Sequence, residues 1–81
     1  MTSGAWDSQR LIFQRLVRDI RKEKGFTQSE LAKLLDKPQS YVSKYESGER
    51  RLDVIELRAV CGVCGLALEE FGKRLEVEIN K

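Results

Sequence analysis

The 81-residue chain contains no histidine, and it has one proline, one tryptophan and two cysteines. The missing histidine removes imidazole chemistry outright, whether as catalytic acid and base or as metal ligand. The two cysteines, Cys61 and Cys64, are spaced C-G-V-C, and no second pair or histidine completes the four ligands of a structural zinc site. A thioredoxin-like reading of that spacing needs strands alternating with helices, and the pattern is not there. Both cysteines fall on the apolar side of a predicted helix, so we read them as core; thiol sensing or an intermolecular zinc site is the alternative. No apolar run approaches the roughly 20 residues of a membrane span, and the opening MTSGAWDSQ is no basic-then-apolar leader. A soluble, cytoplasmic protein is expected. Phosphate-cradling glycine loops and nucleophile–base sets are also missing. The sequence therefore predicts no enzyme, no catalytic residue, no cofactor and no metal.

What is present begins with charge. Charged residues make up 35% of the chain and hydrophobic residues 41%, which excludes disorder. A single domain of this size is marginal from burial alone, so self-association is an expected support. The net charge of +2 is uneven: residues 1–51 carry 11 Lys and Arg against 7 Asp and Glu, while residues 52–81 carry 4 against 6. A basic half suits a polyanionic partner, and the acidic half should face away from it.

The stretch from Thr27 to Gly48 organises the rest. Thr27 with Glu30 three positions on is a capping box, and Phe26 with Leu31 forms a hydrophobic staple around it, so a helix is predicted over 28–35. Leu31, Ala32, Leu34 and Leu35 give it an apolar side. Asp36-Lys37-Pro38 ends that helix and starts another over 38–47, because Pro38 lacks an N–H and suits a first helical turn. Gly48 supplies the left-handed C-cap. On the second helix Tyr41, Val42 and Tyr45 share one side, and Gln39, Ser40, Ser43, Lys44 and Ser47 share the other. That polar arc contains no carboxylate. Acids are unwelcome beside phosphates, whereas Gln, Ser and Lys reach base edges.

With TQSELA (27–32), PQSYVSKYESGER (38–50) and LDVIEL (52–57), the chain resembles the helix-turn-helix of phage repressor and Cro proteins and of the many small bacterial regulators of that type. The resemblance spans about Leu16 to Phe71. It implies that the second helix of the pair enters the major groove of double-stranded DNA while the first crosses the backbone. It further implies base contacts from Gln39, Ser40 and Lys44, and backbone contacts from Gln28, Tyr41, Ser43, Arg50 and Arg51, with Gln28 orienting Gln39. Gln28 can equally be a solvated first-turn residue, Tyr41 pure packing, and Arg50 and Arg51 solvated charges. In the resembling family an arginine at the place of Arg21 pairs with a glutamate at the place of Glu46, so a structural Arg21–Glu46 ion pair is expected. The family often has glycine where this chain has Asp36, a position that tends to be left-handed; Asp tolerates it.

Around this pair, a first helix is predicted over 8–24, capped by Asp7 or Ser8, with Phe13, Leu16, Val17 and Ile20 facing inward and Gly25 closing it. Trp6 ahead of it either packs on the core, which we favour, or serves a partner. Asp53 and Glu56 are a second cap pair for a helix over 54–64, with Ile55, Leu57, Val60, Cys61 and Cys64 as packing candidates. A short fifth helix is predicted over 67–73. In residues 74–81, Leu75, Val77 and Ile79 alternate with polar residues, which is a strand pattern. An unpaired strand needs a partner, so Phe71, Leu75, Val77 and Ile79 are predicted to join two copies. The expectation is an all-α, five-helix domain with a short C-terminal extension, read either as a strand paired with that of a second copy or as an apolar tail laid on the second copy's fifth helix, binding a roughly palindromic operator as a homodimer. The rival is an antitoxin or other protein-interaction module on the same fold.

Overall fold

The computed structural model describes residues 4–81, with side chains from Asp7 onward; the packing expected of Trp6 lies outside the described residues. Five helices follow one another: α1 (Gly4–Glu23), α2 (Gln28–Leu34), α3 (Gln39–Ser47), α4 (Val54–Val63) and α5 (Leu68–Ile79). Helix α1 runs from Gly4, a turn ahead of the predicted cap, which places Asp7 inside the first turn, where its charge opposes the positive helix end. Gly25 closes it with φ 82°.

The two capping boxes are built as the sequence predicts. Thr27 Oγ1 accepts from the Glu30 N–H at 3.0 Å, and the Glu30 carboxylate accepts from the Thr27 N–H at 2.8 Å. Asp53 and Glu56 make the same exchange at 2.7 and 2.9 Å. Each satisfies N–H groups that the helix cannot reach itself.

One core joins all five helices. Leu16, Val17 and Ile20 of α1 meet Leu31 and Ala32 of α2, Val42 and Tyr45 of α3, Val60 and Cys61 of α4 with Cys64 after it, and Phe71 of α5. Phe13 packs edge-on against Phe71, ring centroids 5.8 Å apart. Burial pushes the Cys61 thiol up to about 11 and raises that of Cys64, so both stay protonated and pack as small apolar groups.

Four expectations need correction. The C-terminal segment is helix, with no strand among the described residues: α5 continues through Ile79. Leu68, Phe71, Leu75 and Ile79 also recur at helical spacing, and a helix satisfies its backbone hydrogen bonds internally where a lone strand cannot. Phe71 is buried in the core of its own chain, so it is not a surface for a second copy. Ile55 and Leu34 do not pack inward; they are 71% and 56% exposed. Both sit at the margin of an apolar arc, where periodicity alone does not decide which way a side chain faces.

Helix α5 lies along α1. Arg74 reaches Glu23 through two hydrogen bonds of 3.0 and 2.7 Å, and Arg15 reaches Glu78 at 2.6 Å. These pairs orient the helix at the surface, while Phe71 and Leu75 anchor it to the core.

Candidate nucleic-acid interface

The turn between α2 and α3 sets the geometry of the candidate site. Leu35 caps α2, Asp36 takes φ 57°, and the Lys37 N–H returns to the Ala32 carbonyl at 2.9 Å. The chain thus turns from one helix to the next within four residues. Pro38 stands as N-cap of α3 in extended conformation, and its carbonyl accepts from the Tyr41 N–H at 2.9 Å. At the far end Gly48 has φ 89°, a left-handed backbone that calls for glycine, while a Cβ there would meet only the movable end of the Gln14 side chain.

Helix α3 buries Val42, Tyr45 and Glu46, and it leaves Gln39, Ser40, Lys44 and Ser47 exposed with Tyr41 and Ser43 half-buried. The Ser47 hydroxyl turns back to the Lys44 carbonyl at 3.1 Å. Lys44 forms no ion pair among the described residues. The only acid on this helix, Glu46, is turned inward and 7% exposed. Arg21 meets it as a fork, Nε to Oε2 at 2.7 Å and Nη2 to Oε1 at 3.0 Å, and donates a third bond to the Phe26 carbonyl at 2.9 Å. The hydrogen bond to Glu46 raises the Arg21 pKa above its ordinary value against the opposing effect of burial. The negative charge nearest the exposed arc is thereby neutralised from below.

The network continues outward. Gln28 Nε2 donates to Glu46 Oε1 at 3.1 Å, and Gln39 Nε2 donates to Gln28 Oε1 at 2.7 Å. A carboxylate only accepts, so it fixes which end of the Gln28 amide faces it. That leaves the Gln28 carbonyl for Gln39. The Gln39 amide is then held by one of its N–H groups, with the second N–H and the carbonyl free to meet an adenine edge. Arg21, Glu46, Gln28 and Gln39 form one chain from the core to the exposed arc.

Arg50, expected along the phosphates, is engaged within the chain. Its Nη2 lies 2.6 Å from Glu56 Oε2 and its Nη1 3.3 Å from Glu56 Oε1, and its guanidinium stacks 4.6 Å from the Tyr41 ring centroid. It braces Tyr41, whose ring also meets Tyr45 edge-on at 5.6 Å. Glu56 is held down to about 2, first by Arg50 and then by the Asp53 backbone N–H. Arg51, next in sequence, is exposed and forms no ion pair among the described residues. Sequence reasoning passed over Lys37, exposed in the turn with its ammonium 5.3 Å from the Tyr41 centroid. Its place beside Pro38, between the two helices, was the available signal.

A helix pair with a short left-handed turn, the second helix braced on its inner side and acid-free on its outer one, defines a helix-turn-helix DNA-binding domain. Residues 17–71 match the helix-turn-helix family model. A solved structure, an XRE-family like protein from Pseudomonas syringae pv. tomato str. DC3000, is 39% identical, covers 89% of this chain and 88% of its own, and superposes with a TM-score of 0.82. No curated protein matches the chain. The chain belongs to the Cro-type helix-turn-helix family, also called XRE, which is non-enzymatic. Among the described residues no helix is long and apolar enough to cross a membrane.

Proposed function

We propose that this protein is a transcriptional regulator that binds a roughly palindromic operator in double-stranded DNA as a homodimer. The observation that carries the reading is the chain of hydrogen bonds ending at Gln39, which orients a base-reading amide on an exposed arc free of acids. Gln39 reads adenine, Ser40 and Lys44 read neighbouring bases, and Lys44 is suited to guanine. Gln28, Ser43, Tyr41, Lys37 and Arg51 meet phosphates; Arg50 acts by holding Tyr41 in place.

The homodimer forms through the outer side of α5. Of the four residues predicted from sequence, Phe71 is in the core, Leu75 and Ile79 are half-buried, and Val77 is 60% exposed. Val77 is therefore the centre of the proposed contact, and Val77→Glu should give a monomer in sedimentation. A variant that still sediments as a dimer rejects this surface. Selection from a random duplex pool tests the reading as a whole. It should recover inverted half-sites about one helical turn apart, and a set of unrelated sequences would contradict it.

A further inference from the structure

The relay that ends at Gln39 has a direction, and that direction is set at its buried end. Glu46 is 7% exposed, and every hydrogen bond its carboxylate makes is an accepted one: Oε2 takes Arg21 Nε at 2.7 Å, and Oε1 takes Arg21 Nη2 at 3.0 Å and Gln28 Nε2 at 3.1 Å. A carboxylate held in the fork of a guanidinium has no proton to give. Gln28 must therefore turn its NH2 end inward and its carbonyl outward. Gln39 must then donate to that carbonyl, as its Nε2 does at 2.7 Å. Each amide by itself could face either way, and together they are left with one arrangement.

We infer that Glu46, buried beneath the exposed arc, is a positioning residue for base choice: acting through Gln28, it makes Gln39 discriminate adenine from guanine. With one N–H committed to Gln28, Gln39 presents its other N–H and its carbonyl. An adenine edge offers N7 as acceptor and N6–H as donor, and it matches both. A guanine edge offers N7 and O6, both acceptors, so one of them would stand against the Gln39 carbonyl. Guanine is matched by the reversed relay, in which Gln39 turns its carbonyl to Gln28 and both N–H groups to the base. Glu46 forbids that reversal, because Gln28 would have to set its own carbonyl against a carboxylate. This role rests on the DNA reading and adds to it a residue that touches no nucleotide.

Glu46→Gln tests it. The substitution keeps the size of the side chain and an acceptor for Arg21, but it can turn either end of its amide to Gln28, so both directions of the relay become accessible. The base pair read by Gln39 is located first, as the one whose preference Gln39→Ala abolishes in the pool-selected duplex. At that pair the wild-type chain should favour adenine over guanine by roughly tenfold or more in binding titrations, and Glu46→Gln should lower the ratio roughly tenfold. The preferences at the base pairs read by Ser40 and Lys44 should stay as they are, which a general loosening of α3 would not allow.

Because the effect passes through Gln28, Glu46→Gln added to Gln28→Ala should leave the ratio where Gln28→Ala alone puts it. Gln28→Ala also preserves the Arg21–Glu46 pair, so it decides the matter if Glu46→Gln gives no cooperative melt: the adenine preference should fall in a chain that melts as wild type does, and an unchanged ratio overturns the role. A wild-type preference for guanine at that pair, an unchanged ratio in folded Glu46→Gln, or an equal change with and without Gln28 also overturns it, while duplex recognition stands. A chain that selects no duplex at all sinks the DNA reading and this role with it.

Discussion

Helices α3 and α5 are both amphipathic and both docked on α1, yet they treat their polar sides in opposite ways. On α5 several of the charges are bonded within the molecule: Arg74 to Glu23, Glu78 to Arg15 and Lys81, and Glu70 to the Ala67 N–H. On α3 the one acid faces inward to Arg21, and the exposed Lys44 has no ion pair among the described residues. Gln39 is held by a single bond that leaves most of its amide open. Charges that neutralise one another hold α5 onto α1 and leave the exposed Val77 as the part of that helix proposed to meet a second copy. A surface whose donors are oriented but unmatched is shaped for a partner, and the partner must be one that tolerates no acid.

This contrast can be broken at several points. The largest effect is expected at Glu46. Glu46→Ala leaves the Arg21 guanidinium buried and unpaired, which should destabilise the fold by about 3–5 kcal/mol in urea denaturation. A loss near that of an ordinary surface pair would mean the network is not a buried one. Next come the duplex contacts. Lys44→Ala should change preference at one or two base positions by about 1–3 kcal/mol, whereas Arg51→Ala should weaken all duplexes alike and flatten the salt dependence by about one unit. Binding titrations on single-base variants distinguish the two, and identical behaviour would mean that base reading and backbone holding have been assigned wrongly. On α5 the contrast predicts little: Arg74→Ala breaks a solvent-exposed pair and should alter stability by about 0.2–1 kcal/mol, with duplex binding unchanged.

The smallest effect is a pH dependence. Glu56 lies at about 2 in the folded chain against an ordinary 4.5. A carboxylate depressed on folding stabilises the native state above its unfolded pKa, and that contribution is lost as pH falls through the folded value. Melting temperature should therefore decline between about pH 4.5 and 2, and Glu56→Gln should make that decline shallower. An unchanged acid limb would separate Glu56 from the bracing of Arg50 and Tyr41.

The helix pair was legible because its boundaries are written in short-range chemistry: a capping box at Thr27, a proline at 38, a glycine at 48, and a polar Asp at the left-handed position 36. The fifth helix was legible over 67–73 but its continuation through Ile79 was not, because Leu75, Val77 and Ile79 satisfy a period of two while Leu68, Phe71, Leu75 and Ile79 satisfy a helical one. Local pattern does not choose between them, and the absence of a strand partner in the chain does. Similar limits apply at the site. The polar arc follows from a helical wheel, but the engagement of Arg50 with Glu56 depends on the path of the loop between Gly48 and Asp53, which no periodicity describes. The outward relay from Glu46 through Gln28 to Gln39 likewise requires side chains from two helices and a buried arginine from a third. The resemblance to repressor-type proteins supplied its two ends, the Arg21–Glu46 pair and the orienting of Gln39 by Gln28, as expectations; the bond from Gln28 to Glu46 that joins them was not foreseen.

The central claim is that the exposed arc of α3 reads duplex sequence. It is tested most directly by titrating the purified chain against its pool-selected duplex and a scrambled duplex of equal length over a series of salt concentrations. Affinity should fall linearly with salt on logarithmic axes, with a preference of about a thousandfold or more for the selected duplex. Equal affinity for both duplexes, or no binding to either at low ionic strength, would contradict it.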